Sequence, residues 1–125
     1  MLKIAVCGAA GRMGSAVIRV VAGEKDARIC AAIEFAGSKS VGMDAGEAAG
    51  TGRLGVTVSD SLAGTIKGCG AVIDFTQPDA SAANVAAAAK SGVPIVVGTT
   101  GFSEKQMSAI RKASKKIPVV LAPNM

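Results

Sequence analysis

The chain has 125 residues and a formal net charge of +5; half of its residues are apolar, and only Phe35, Phe75 and Phe102 are aromatic. This length suits one domain, positions 1–125, with one binding site and a core of Ala, Val, Ile and Leu. No apolar run reaches the roughly 18 residues of a membrane span and no secretory signal is present, so no membrane partner and a cytoplasmic protein are expected.

Leu2, Ile4, Ala5, Val6 and Cys7 form an apolar run that breaks at Gly8, and glycine recurs at Gly11 and Gly14. A strand, a glycine turn and a helix start in this order form the layout that holds a dinucleotide pyrophosphate. Residues without a Cβ let the backbone approach the phosphates, and the free N–H groups and dipole of the helix start receive their charge. Ala16, Val17, Val20 and Val21 then recur at helical spacing, which predicts a helix from Arg12 to Ala22 ended by Gly23. Arg28 to Ile33 reads as a second strand, closed by Glu34, whose carboxylate can accept hydrogen bonds from an adenosine ribose. Phe35 to Gly55 reads as a long loop with at most a brief helical turn over Asp44 to Ala49.

Val56 to Val58 is expected as a third strand, with Ser59 and Asp60 capping a short helix to Ile66. Ala71 to Phe75 is a cleaner strand, apolar except for Asp74, which reads as a turn or helix-cap partner. Pro78 suits the first turn of a helix whose Ala-rich body, Ala80 to Lys90, stops at Gly92. Pro94 to Val97 forms the next strand, closed by Gly98. Ser103 and Gln106 make a capping box for a helix to Lys115, and Val119 to Leu121 is the last strand.

Six strands of mostly continuous apolar character, alternating with helices, predict a Rossmann-type α/β fold: a doubly wound parallel sheet of order 3-2-1-4-5-6 with helices on both faces. Its ligand crevice lies at the carboxyl ends of the strands. Three further strand ends stand out there: Asp74, Phe75 and Thr76; Gly98, Thr99, Thr100 and Gly101; and Ala122, Pro123, Asn124 and Met125. Gly98 to Gly101 suits a ribose or an amide, and equally well a plain turn into the Ser103 cap. Cys7, Cys30 and Cys69 are widely spaced and no histidine is present, so no metal site is expected and the thiols read as free. Arg111, Lys112, Lys115 and Lys116 crowd one helix without interleaved aromatics, which reads as a solvated face and predicts no nucleic-acid partner.

VCGAAGRMG, AIEFAGS, DAGE, GVTV, VIDFT, VGTTGF and LAPNM resemble, in order and nearly in spacing, the amino-terminal domain of dihydrodipicolinate reductase (4-hydroxy-tetrahydrodipicolinate reductase). The resemblance covers essentially the whole chain. It implies an NAD(P)H-dependent oxidoreductase of lysine and diaminopimelate biosynthesis, reducing a dihydrodipicolinate-type substrate to tetrahydrodipicolinate. It also implies that Gly8, Ala9, Ala10, Gly11, Arg12 and Met13 cradle the pyrophosphate and that Glu34 holds the adenosine ribose. Phe75 and Thr76 would line the crevice, Gly98, Thr99 and Thr100 the nicotinamide side, and Ala122, Pro123, Asn124 and Met125 the nicotinamide amide.

One position departs from the family pattern. Members that accept NADPH well often carry arginine directly after the acidic residue, where this chain has Phe35, which cannot pair with a 2′-phosphate. Arg12 and Lys39 remain near, so use of both NADH and NADPH is expected, with NADH at least as good. The resemblance also implies that the family's histidine pair and its substrate contacts lie in a carboxyl-terminal domain absent from this chain. The expectation is a half that binds cofactor but is catalytically incompetent, with no catalytic residue assigned, and that meets the small-molecule substrate only together with that domain. A full-length member is expected as a homotetramer, and this stretch alone as a monomer or weak dimer. A stand-alone NAD-responsive sensor or interaction module is the alternative; it explains the missing histidine but not the presence of GTTGF and APNM.

Overall fold

Ile4, Ala5, Val6 and Cys7 are consecutive and all buried, which a strand can achieve only when both of its faces are covered. In the structure, a computed structural model that describes residues 1–122, they belong to β1 (Leu2–Cys7) at the centre of a six-stranded sheet. The chain continues through α1 (Arg12–Ala22), β2 (Ala27–Ile33), α2 (Ala45–Ala49), β3 (Val58–Ser59), β4 (Ala71–Asp74), α3 (Pro78–Ser91), β5 (Ile95–Val97), α4 (Glu104–Ala113) and β6 (Val119–Leu121). All sheet pairings are parallel, in the order β3-β2-β1-β4-β5-β6. This is the doubly wound order expected from the alternation of strands and helices.

The alternation of side chains along β1 sends Ile4 and Val6 to one layer and Ala5 and Cys7 to the other. The first layer is closed by Ile18 and Val21 of α1 and by Ala45 and Ala49 of α2; the second by Val85 and Ala88 of α3 and Ile110 and Ala113 of α4. Ile18 is fully buried, which stabilises the fold by about 1.5–3 kcal/mol relative to an exposed side chain. No helix among the described residues is long and apolar enough to cross a membrane.

Three local expectations differ from what the chain does. The short helix from Asp60 to Ile66 is a single turn, in which the Thr65 and Ile66 N–H groups both donate to the Leu62 carbonyl. Ser61 accepts the Gly64 N–H through its hydroxyl and Thr65 donates its hydroxyl to the Ser61 carbonyl; such local bonds compete with helix propagation. The third strand is Val58–Ser59 rather than Val56 to Val58, because Val56 and Thr57 are diverted to residues 43–45: Ala45 N–H donates to Val56 O, and Thr57 bridges Asp44. Finally, Cys30 and Cys69 are not free thiols but joined in a disulfide, with 6.2 Å between their Cα atoms. They are 39 residues apart in sequence, and only the strand order brings β2 and the turn before β4 together. Smaller shifts occur at element ends: α4 stops at Ala113 rather than Lys115, and β4 at Asp74 rather than Phe75.

The long loop is held by one side chain. Asp44 is the N-cap of α2, and its carboxylate accepts from the N–H groups of Gly46, Glu47, Leu54 and Gly55 at 2.7–3.0 Å. The Leu54 bond first, then those to Glu47, Gly55 and Gly46, hold its pKa at about 2 against an ordinary 3.8. A depressed carboxylate stabilises the fold fully above its unfolded pKa and loses that contribution as pH falls through its folded one. Asp44→Ala is therefore expected to lower the melting temperature at pH 7 by roughly 4–8 °C. Thermal melts of parent and variant should converge as pH falls from 3.8 towards 2; a gap independent of pH would contradict the clip.

Candidate functional site

The chain turns sharply where β1 ends. Gly8 has a φ of +82°, which glycine adopts without the strain a Cβ would add. Its N–H and that of Ala9 donate to the Ile33 carbonyl at 2.9 and 3.1 Å, tying the turn to the end of β2. A Cβ on Gly8 would lie 2.2 Å from the Phe75 carbonyl oxygen, and one on Gly14 would lie 1.9 Å from the Gly8 carbonyl oxygen. The turn is therefore pressed between the end of β4 and the first turn of α1, and this contact brings three elements to one point.

Gly11, the N-cap of α1, carries no side chain to cap the helix, so its first-turn N–H groups and the positive end of its dipole are left for an anion. Ala10, Gly11, Arg12 and Met13 are exposed around this start, whereas Ala9 is buried and its methyl joins the core. Beside them, the Glu34 carboxylate accepts from the Ala10 N–H at 2.7 Å and from the Phe35 N–H at 3.3 Å. The acidic residue at the end of β2 thus stands directly over the glycine turn.

Gly8, Ala10, Gly11 and Glu34 line a crevice of about 540 Å³ together with Ile33, Phe35, Ser38, Asp60, Phe75, Thr76, Gln77, Ala80, Ala83 and Asn84, whereas Ala9, Arg12 and Met13 are not part of its lining. Of the residues singled out in the sequence, Gly8, Ala10, Gly11, Glu34, Phe75 and Thr76 share this wall. Phe35 is 70% exposed at its rim. Ser38, Asp60, Gln77, Ala80, Ala83 and Asn84 are additional. For the last three the signal was present: once Pro78 starts a helix, positions 80, 83 and 84 share one face by their i, i+3, i+4 spacing.

Gly98, Thr99 and Thr100 stand behind that wall. A Cβ on Gly98 would meet the Phe75 ring at 2.2 Å, so the ring lies across Gly98. The Gly98 N–H donates to the Asp74 carbonyl at 2.8 Å; Thr99 is 9% exposed and Thr100 exposed. Ala122 is half-buried and donates its N–H to Val97 O at 2.8 Å, while Pro123, Asn124 and Met125 lie outside the described residues.

Asp74, read from the sequence as a turn or helix-cap partner, does bond Thr76 in the following turn but does not cap α3, whose N-cap is Gln77. It is fully buried, and its carboxylate accepts from Thr76 at 2.9 Å, from Asn84 at 2.7 Å, from Thr99 at 3.3 Å and from Ser81. Ser81, itself fully buried, also touches the hydroxyls of Thr76 at 2.9 Å and Thr99 at 2.7 Å. This cluster ties the carboxyl ends of β4 and β5 to the first turns of α3. Cys7, next to the turn, is buried and free; burial foremost, then the charges of Asp74 and Glu34, push its thiol far above the ordinary range. It is an inert packing group rather than a nucleophile.

An uncapped helix start, a turn of only glycine and alanine and a crevice with a carboxylate on one side fit a dinucleotide, whose charged pyrophosphate and hydroxylated riboses need these partners in that sequence. Solved structures share the fold: a dipicolinate-bound dihydrodipicolinate reductase from Paenisporosarcina sp. TG-14 superposes with a TM-score of 0.76 at 22% identity, over 99% of this chain and 48% of that one. An aspartate semialdehyde dehydrogenase with NADP from Candida albicans gives 0.68 at 15% identity, over 97% and 42%. In sequence, the chain is 48% identical to the 4-hydroxy-tetrahydrodipicolinate reductase of Geobacter metallireducens and 45% identical to that of Citrifermentans bemidjiense, over all 125 residues. It spans about half the length of these relatives, 47% of each. The family model described as "Dihydrodipicolinate reductase, N-terminus" matches residues 2–125. With residues 2–125 matched by that model, the chain belongs to the family of dihydrodipicolinate reductase amino-terminal domains.

Proposed function

We propose that this chain is the NADH- and NADPH-binding part of a 4-hydroxy-tetrahydrodipicolinate reductase, an oxidoreductase of lysine and diaminopimelate biosynthesis in the cytoplasm. The observation that carries the reading is the continuous crevice from Glu34, past the uncapped start of α1, to Thr76. When bound, the reduced nicotinamide supplies the hydride. The chain's own residues bind and orient: the Gly8 to Met13 segment takes the pyrophosphate, and Glu34 turns its carboxylate to the adenosine ribose. The Phe75 and Thr76 segment forms the wall beyond, with Gly98 to Thr100 and Ala122 to Met125 on the nicotinamide side.

The whole enzyme must also deliver a proton and hold a dicarboxylate. No histidine is present among these 125 residues to serve as a donor near neutral pH. The 125-residue chain alone is accordingly expected to bind cofactor as a monomer or weak dimer and not to turn over substrate, whereas the whole protein works as a homotetramer. Turnover by the chain alone at roughly 1 to 1,000 per second would contradict this.

Cofactor choice turns on the end of β2. Glu34 favours a ribose diol, and Phe35 offers no charge to a 2′-phosphate; Arg12 and Lys39 are exposed cations nearby. Titration of reduced-nicotinamide fluorescence, which no tryptophan complicates, is expected to show both cofactors binding, with NADH at least as tight. Phe35→Arg should then strengthen NADPH binding about tenfold, and this gain should fade as salt rises. Much tighter NADPH than NADH binding by the parent, with a steep salt dependence, would overturn this assignment.

A further inference from the structure

Asp74 is a fully buried carboxylate whose hydrogen-bond partners are three hydroxyls and one amide. A carboxylate only accepts, so in each of these bonds the neighbour is the donor. Asn84 must present its nitrogen, which leaves its carbonyl oxygen on the other branch of the amide. Thr76 has a single proton. Directed into the crevice, that proton would leave Oδ1 of Asp74 with Asn84 alone; directed inward, it gives Oδ1 a second donor at 2.9 Å. Asp74 is fully buried and so out of reach of bulk solvent, which favours the inward direction. Ser81 and Thr99 are likewise committed to Asp74 or to each other, their oxygens 2.7 Å apart.

Thr76 and Asn84 both line the crevice. With its one proton committed inward, Thr76 offers a ligand only lone pairs, and Asn84 offers its carbonyl oxygen beside the second N–H of its amide. The sheet order places them at the β4 side of the glycine turn, and Glu34 at the β2 side. We propose that Asp74 is a positioning residue that makes Thr76 and Asn84 hydrogen-bond acceptors, and that the group they take is the ribose diol beyond the pyrophosphate from Glu34. This rests on the dinucleotide reading above. It gives the crevice an acceptor at each end, Glu34 for one diol and the Thr76 and Asn84 pair for the other, with the donors of the helix start between them for the phosphates.

The test uses the 125-residue chain and two ligands: NADH, which spans both ends, and AMP, which reaches only the Glu34 end, followed by ligand-observed NMR. Asp74→Asn, which sets an amide N–H₂ among the donors, should weaken NADH about tenfold or more and change AMP less than about twofold. Thr76→Val, which removes one acceptor and keeps the shape, should reproduce that pattern, and it carries the test if Asp74→Asn does not fold. Equal losses for NADH and AMP would show a structural role only and overturn the proposal, as would unchanged NADH binding in both variants. A parent that binds neither nucleotide would overturn the dinucleotide reading itself, and this inference with it.

Discussion

Gly14→Ala is expected to lower the melting temperature by about 10 °C and to abolish measurable NADH binding. The added Cβ would lie 1.9 Å from the Gly8 carbonyl oxygen and 2.7 Å from its carbon, and both are backbone atoms that no rotamer change can move aside. Helix α1 must retreat from β1 by roughly 1 Å or more, and overpacking of this kind costs about 3 kcal/mol, the top of its usual range. Alanine's better helix propensity returns only about 1 kcal/mol of that. On the proposed function the donors for the pyrophosphate sit at the start of α1, so the same retreat removes the binding geometry. Gly11→Ala is the control, since its Cβ would stand 3.3 Å from the same oxygen. Thermal melts in which both variants fall equally, or in which Gly14→Ala stays within about 2 °C of the parent, would show that this contact is not what sets the helix position.

Gly98→Ala should act on the site and largely spare the fold. Its Cβ would meet the Phe75 ring at 2.2 Å, and the ring, half-buried at the edge of the crevice, can swing where backbone cannot. The movement pushes aromatic volume into space that a ligand would use, so NADH affinity should drop about tenfold or more while the melting temperature changes by only a few degrees. The double variant Gly98→Ala with Phe75→Leu restores room and should recover most of the affinity. If the double variant binds as poorly as the single one, obstruction by Phe75 is not the cause.

The strand ends were legible because each is marked by a break in an apolar run. The turn at Gly8, the acid at Glu34 and the residues just past β4, Phe75 and Thr76, all follow from such breaks, and the structure brings them onto one crevice wall. The third strand and the turn after it were read less well. Val56, Thr57 and the residues around Asp44 are each unremarkable locally, and their pairing is settled by a carboxylate ten or eleven residues away that holds Leu54 and Gly55. Likewise, nothing near Cys30 or Cys69 announces the other.

Asp74 shows the same boundary most clearly. Its place at the end of a strand was evident, and a turn or helix-cap partner was the natural reading of a lone acid before a helix. Its actual partners come from positions 76, 81, 84 and 99, in the turn after β4, on α3 and just past the end of β5. By itself the sequence determined the alternating elements, the strand order and the glycine turn, since these follow from local periodicity and from chain geometry at positions without a Cβ. Only the tertiary structure decided which way the hydroxyls of Thr76 and Thr99 face and that Gly98 lies beneath Phe75. Hydrogen bonds to a buried carboxylate and contacts with an aromatic ring depend on neighbours that the sheet, rather than the sequence, makes adjacent.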